Sequence, residues 1–200
     1  MIRVLMMFAV SLLLPLFGHA QFKSGIIVGV SDSWVKKGEI RETFDQSGEK
    51  DLKWNHRFSF NLGYQFQFDV LKKIDFNVAL LYQGRSINVA FCELDGKEVE
   101  ETKLLNSVQA SCILRYKMWR GVRVGIGLEP TVYFNTSVIG NWENNKFDVP
   151  LVVSGGYDFK IFQVSVAYKN GFKQLYYNTL VSKTKTRDVQ VSVFIPINYK

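Results

Sequence analysis

The stretch that most constrains this chain is Arg57 to Asp69, RFSFNLGYQFQFD. Phe58, Phe60, Leu62, Tyr64, Phe66 and Phe68 take every second position, and Ser59, Asn61, Gly63, Gln65, Gln67 and Asp69 fill the places between. A strand sends successive side chains to opposite faces, so this run has one large apolar face and one small polar face; a helix would scatter the same residues around its circumference. At ~3.3 Å per residue it is roughly 43 Å long, and tilted by ~40° it still covers an apolar band of ~25 Å. In a soluble barrel the aromatic face would be the core and the other face would meet water, where Lys, Glu and Thr are usual. Ser, Asn, Gly and Gln instead suit a crowded polar interior. The aromatic face therefore reads as lipid-facing, and the stretch as a transmembrane β-strand.

Composition agrees. Two hundred residues suggest one domain, or one plus an appendage. Mean hydropathy is −0.01, which excludes a hidden helical membrane bundle but suits a barrel, where half of each strand need be apolar. The 4 Pro fit a strand-rich chain. Residues 1–20 read as a secretory signal: Arg3, an apolar core from Val4 to Phe17 interrupted by Ser11 and Pro15, then Gly18 and Ala20 before Gln21. The alternative is a retained anchor, for which the apolar run is short. No Cys follows the expected cleavage point, against a lipoprotein. The mature domain is then 21–200. The net charge of +7 comes from Lys and Arg dispersed among acids. That is no nucleic-acid signature; it suits solvated loops or contact with anionic lipid head groups. Cys92 and Cys112 lack metal-site spacing, though an exported protein could form a disulfide.

Read in order, the chain offers eight strands: Gln21 to Ser31, Arg57 to Asp69, Ile74 to about Phe91, Leu105 to Met118, Val122 to Phe134, Phe147 to Phe159, Ile161 to about Gly171, and Asp188 to Tyr199. Pro130 inside the fifth counts against a central strand, and a bulge there would reconcile it. Long connections (32–53, the acidic 93–103, 135–146 and the basic 172–187) alternate with short turns at Val70 to Lys73, Trp119 to Gly121 and Lys160. That asymmetry predicts an all-β, eight-stranded antiparallel up-and-down transmembrane β-barrel of the bacterial outer membrane, both termini periplasmic. Trp119, Tyr116, Trp142 and Tyr133 near strand ends suit interfacial girdles.

Several segments carry a family resemblance: the Gln21 start, YQGRS at Tyr82 to Ser86, GIGLEPTVYF at 125–134, FDVPLVVSGGYDF at 147–159 and VAYKNGF at 166–172. Together they resemble the small outer-membrane barrels of Bacteroidota, the PorT-like group, over essentially the whole mature chain. Many members end on an aromatic residue that helps assembly; here Tyr199 is followed by Lys200. PorT itself is associated with type IX secretion, a role that fold resemblance alone does not transfer.

Catalytic chemistry finds little footing. Some eight-stranded outer-membrane barrels modify lipid with a His, a Ser and an acid near the rim. After loss of His19, this chain keeps only His56, with Ser59 three residues on and so on the opposite face of a strand. No phosphate loop, metal cluster or paired-carboxylate motif stands out, so no cofactor is expected. Three functions remain: a non-enzymatic barrel whose loops bind a partner, polysaccharide or lipopolysaccharide; an accessory subunit of a secretion or transport complex; and a lipid-modifying enzyme.

The candidate site is the lumen, which eight strands leave just wide enough for side chains to fill. Parity points Arg115, Lys117, Arg123 and Lys169 inward, together with Asp69, Asp75, Glu129 and Asp158. Buried charges must pair, with help from Gln65, Gln67, Gln109 and Gln163. The expected anchor is Arg115 or Arg123 on Glu129, with Asp69 and Asp75 meeting water at the strand ends. The lumen is then plugged, and function lies in the outer loops and lipid-facing wall. With the second long loop centred near Glu98, Cys92 would face Leu104 and Cys112 would face Gly84, too far apart to bond.

Overall fold

The computed structural model describes residues 22–36, 39–40, 53–55, 57–92, 98–104, 106–134, 143–144, 146–174, 176–177, 181–182 and 185–198. Its core is a closed antiparallel barrel of eight strands. These are β1 (Phe22–Lys36), β2 (Arg57–Leu71), β3 (Ile74–Gly84, continued as Ser86–Cys92), and β4 (Glu98–Leu104, then Asn106–Lys117). Then follow β5 (Val122–Leu128, then Thr131–Phe134), β6 (Phe147–Asp148, then Leu151–Asp158), β7 (Gln163–Gln174) and β8 (Lys185–Asn198). Each strand pairs with its sequence neighbour, and β1 pairs with β8.

The register sets the geometry. Lys23 faces Gln67, Gln67 faces Asn77, Asn77 faces Ile113, and Ile113 faces Gly127. Gly127 then faces Val152, Val152 faces Lys169, Lys169 faces Asp188, and Asp188 faces Ser33. One circuit begins at residue 23 of β1 and returns at residue 33, a shear of ten. Ten residues at ~3.3 Å against eight spacings of ~4.8 Å give a strand tilt of about 41° and a radius to the strand axes of about 8 Å. At that radius inward Cβ atoms crowd. A Cβ on Gly127 would lie 2.1 Å from the Cys112 carbonyl oxygen, which is why the inward position holds glycine.

The outer wall is the apolar face read from the sequence. Phe58, Phe60, Leu62, Tyr64 and Phe66 of β2 are all exposed, while Ser59, Asn61, Gln65 and Gln67 are buried. Aromatics cluster toward the ends of the wall: Phe22 with Phe66 and Phe68 at one end, Tyr82 with Phe60 and Phe134 at the other. Trp119 and Tyr116 join the girdle at the short-turn end. Tyr133 does not; it lies in the lumen at 3% exposure. Trp142 and the segment 1–20 lie outside the described residues.

Several boundaries move. β1 runs to Lys36 rather than Ser31, and β8 starts at Lys185 rather than Asp188. Most of the acidic 93–103 run is strand, because Glu98–Leu104 pairs with Ser86–Cys92 above the band, where polar residues suit both faces. This hairpin turns three residues earlier than expected: Cys92 faces Glu98, and Cys112 faces Val78. The cysteines thus lie still farther apart, and Cys112 is a free thiol on the outer face. Pro130 brings no bulge, since Cys112↔Leu128 and Gln109↔Thr131 keep one register across it. Pro150 opposite cannot donate to the Glu129 carbonyl, and the Thr131 hydroxyl donates to it instead at 2.9 Å. The long-connection end carries further short pairings, Glu39–Ile40 with Val181–Ser182 and Glu143–Asn144 with Tyr176–Tyr177. The first and last described residues of the barrel both lie at the short-turn end, where Ser24 faces Asn198.

Candidate functional site

Strand parity turns the polar half of every strand into the lumen, and the shear decides which of these side chains share a level. The result is a stack of layers.

Near the short turns, Asp75 is fully buried and binds two arginines. Arg115, its direct cross-strand neighbour, donates from Nε at 2.6 Å, and Arg123 donates from Nη1. Arg123 also reaches Asp158, donating from Nε at 2.5 Å. Gln163 donates to Gln67 at 2.9 Å beside this cluster. Lys117 and Asp69 pair at 2.8 Å at the rim, both partly open to solvent.

Toward the long connections lies a second network. Lys169 Nζ donates to Glu129 Oε1 at 2.6 Å and to Gln109 Oε1 at 3.2 Å, with both members of the ion pair buried. Gln109 donates in turn to Gln83, whose amide reaches Ser31 at 2.7 Å and Ser59 at 3.1 Å. Arg85 binds Gln83 at 3.0 Å and Asp188 at 2.7 Å. Higher still, one Asp148 oxygen accepts the backbone N–H groups of Val149, Phe172 and Lys173 at 2.8, 3.2 and 2.9 Å, clamping β6 to β7.

Between the networks the lumen is narrow and lined by both apolar and small polar side chains. Ile27, Ala79, Leu81 and Phe194 form a buried cluster, with Val152 also buried. The cavity at this level is about 50 Å³, room for a water or two. Gln65 Nε2, Gln190 Oε1 and Arg115 Nη2 are buried around it without a protein partner, which makes it polar enough to hold them.

All six residues expected in the lumen network, Arg115, Lys117, Arg123, Glu129, Asp158 and Lys169, lie there, but the expected pairing is corrected. Glu129 binds Lys169, and both arginines bind Asp75. Glu129 is six residues along its own strand from Arg123, roughly 20 Å, beyond a side chain's reach. Asp75 does not meet water; Asp69 does in part. Arg85, Asp188 and Gln83 were not anticipated as network members. The inward parity of Asp75, Asn77, Ala79, Leu81 and Gln83 extends to Arg85 and could have found it. His56 lies outside the described residues; Ser59 is buried against Ser31 at 2.7 Å, a structural contact. Among the described residues no group of His, Cys, Asp or Glu is arranged to hold a metal.

The sequence model described as "Outer membrane protein beta-barrel domain" matches residues 19–177. Among solved structures, the outer membrane protein OprG from Pseudomonas aeruginosa is similar at a TM-score of 0.46 and 14% identity, covering 87% of this chain and 94% of that one. Neisserial surface protein A is similar at 0.46 and 12%, covering 86% and 96%. Ail of Yersinia pestis, solved with the heparin analogue sucrose octasulfate, gives 0.41 and 14%, covering 88% and 99%. No curated protein matches the chain.

Proposed function

Since this chain belongs to the outer membrane protein β-barrel family and so to the bacterial outer membrane, we propose that it is a non-enzymatic integral barrel with a plugged lumen, working through its long-connection end. The observation that carries this reading is the layered lumen: two hydrogen-bonded ion-pair networks, Asp75–Arg115–Arg123–Asp158 and Glu129–Lys169–Gln109–Gln83, separated by the Ile27, Ala79, Leu81 and Phe194 layer. A solute would have to break paired charges at two levels, each costing several kcal/mol, and pass the narrow level between them, whose cavity is only about 50 Å³. Both described chain ends lie with the short turns, which supports periplasmic termini and outward-facing long connections. The acidic stretch 93–103 and the basic stretch 172–187 both belong to the long connections of this end, where they would meet a lipopolysaccharide or an envelope or secretion-complex protein. Planar-bilayer recording tests the plug. Wild type should give no steady channel, and a reproducible pore of nanosiemens scale would overturn the reading.

A further inference from the structure

The short-turn end sorts its charges. Its three acids, Asp69, Asp75 and Asp158, all turn toward the lumen and are paired with Lys117, Arg115 and Arg123. What it exposes is cationic: Lys72 and Lys73 on the first turn, Arg120 on the second and Lys160 on the third. Among the described residues, Lys72, Lys73 and Arg120 make no ion pair. Hydrogen bonds join the turns side by side, Lys117 N–H to the Lys73 carbonyl at 2.7 Å and Asp158 N–H to the Gly121 carbonyl at 2.9 Å, so the cations follow one arc of the rim.

Arg120 is held in an unusual way. Its φ is 52° and that of Gly121 is 88°, with Val122 N–H donating to the Trp119 carbonyl at 3.2 Å. Two positive φ values in a two-residue hairpin loop make a type I′ turn, whose first position normally takes Asn, Asp or Gly. A bulky side chain there is an outlier that points to a role. The guanidinium sits 4.1 Å from the centroid of the exposed Trp119 ring, at girdle depth. On the wall beside this turn lie two apolar grooves. One, of about 340 Å³, runs between Ile74, Leu114, Tyr116 and Val124; the other, of about 440 Å³, is floored by Gly155, over which nothing lies within 4 Å.

We propose that this rim is a binding site for an anionic phospholipid of the leaflet it faces, Arg120 gripping the phosphodiester and the acyl chains lying in the two grooves. A guanidinium fork matches two phosphate oxygens, and stacking on Trp119 orients it. Lys72 and Lys73 add unpaired positive charge on the neighbouring turn. The proposal rests on the membrane location and is independent of the plugged lumen.

The test reconstitutes the full barrel in nanodiscs of equimolar phosphatidylglycerol and phosphatidylethanolamine, then counts co-purifying lipid by native mass spectrometry after mild detergent release. Wild type should retain phosphatidylglycerol several-fold over phosphatidylethanolamine. Arg120→Asn removes the charge while suiting the positive φ, so the fold should hold and the enrichment should fall toward one. Lys72→Gln with Lys73→Gln should lower it in part. An equal ratio in wild type, or enrichment unchanged in Arg120→Asn, overturns the proposal. Heat-modifiable migration from phosphatidylethanolamine discs checks membrane insertion separately.

Discussion

Replacing Asp75 by Asn should be among the most damaging single changes in the lumen. The carboxylate is fully buried and takes Arg115 Nε at 2.6 Å and a second bond from Arg123, whose own side chains are 9% and 7% exposed. Asn keeps the shape but leaves two guanidinium groups facing Asp158 alone, which contacts Arg123. Removing one partner of a buried ion pair costs about 3–5 kcal/mol, because the remaining charge is stranded. At about 1.4 kcal/mol per decade that is roughly a hundredfold to several-thousandfold shift toward the unfolded chain. With a slope of about 2–3 kcal/mol per molar urea, the midpoint falls by about 1–2.5 M. Asp69→Asn is the internal control. Its pair with Lys117 is similarly close, at 2.8 Å, yet the two side chains are 20% and 25% exposed, so solvent screening reduces its worth to about 0–1 kcal/mol. Urea titration of the barrel in lipid vesicles, followed by tryptophan fluorescence and by heat-modifiable gel migration, reads both. If Asp75→Asn loses less than about 1 kcal/mol, or no more than Asp69→Asn, the inner charge cluster does not hold the barrel as argued.

Cys112 faces the lipid wall and is free, so a membrane-soluble maleimide should label it in intact membranes while a charged, impermeant one does not; labelling by the impermeant reagent would overturn the lipid-facing placement. Mass spectrometry should find no bridge between Cys92 and Cys112, whose strand partners, Glu98 and Val78, are far apart in the barrel. His56→Ala should leave assembly and phenotype intact, and loss of phenotype with normal assembly would restore a lipid-modifying role.

The strands were legible because the period of two in Phe58 to Phe68, and in Val189 to Ile197, survives any detail of packing. The same parity put Arg115, Arg123, Glu129 and Lys169 on the inward face, and all four are buried. It could not pair them. Partners within a strand pair, such as Asp75 and Arg115, follow from one hairpin register, but Lys169 and Glu129 meet across two strand interfaces, so three strands must be in register at once. An error of three residues in the centre of the β3–β4 hairpin already displaces β4 by six positions against β3, enough to move a lumen residue from one layer to the next. Pro130 misled for a different reason. A missing N–H suggested an inserted residue, whereas the chain keeps its count, with Cys112↔Leu128 and Gln109↔Thr131 in one register on either side of it.

The ladder between β1 and β8 has a consequence for how the molecule comes into being. Ser24 meets Asn198 and Lys36 meets Lys185, so the first strand finds its second partner only when the last has been delivered. Until then both strands present a row of bare amides and carbonyls, which hydrocarbon cannot solvate. Insertion one hairpin at a time is therefore disfavoured, and the ring should close nearly as a unit, at the slow pace of contacts spanning most of the chain. A ribosome stalled before residue 185 would release a sheet with two open edges, a substrate for periplasmic chaperones and proteases rather than a smaller barrel.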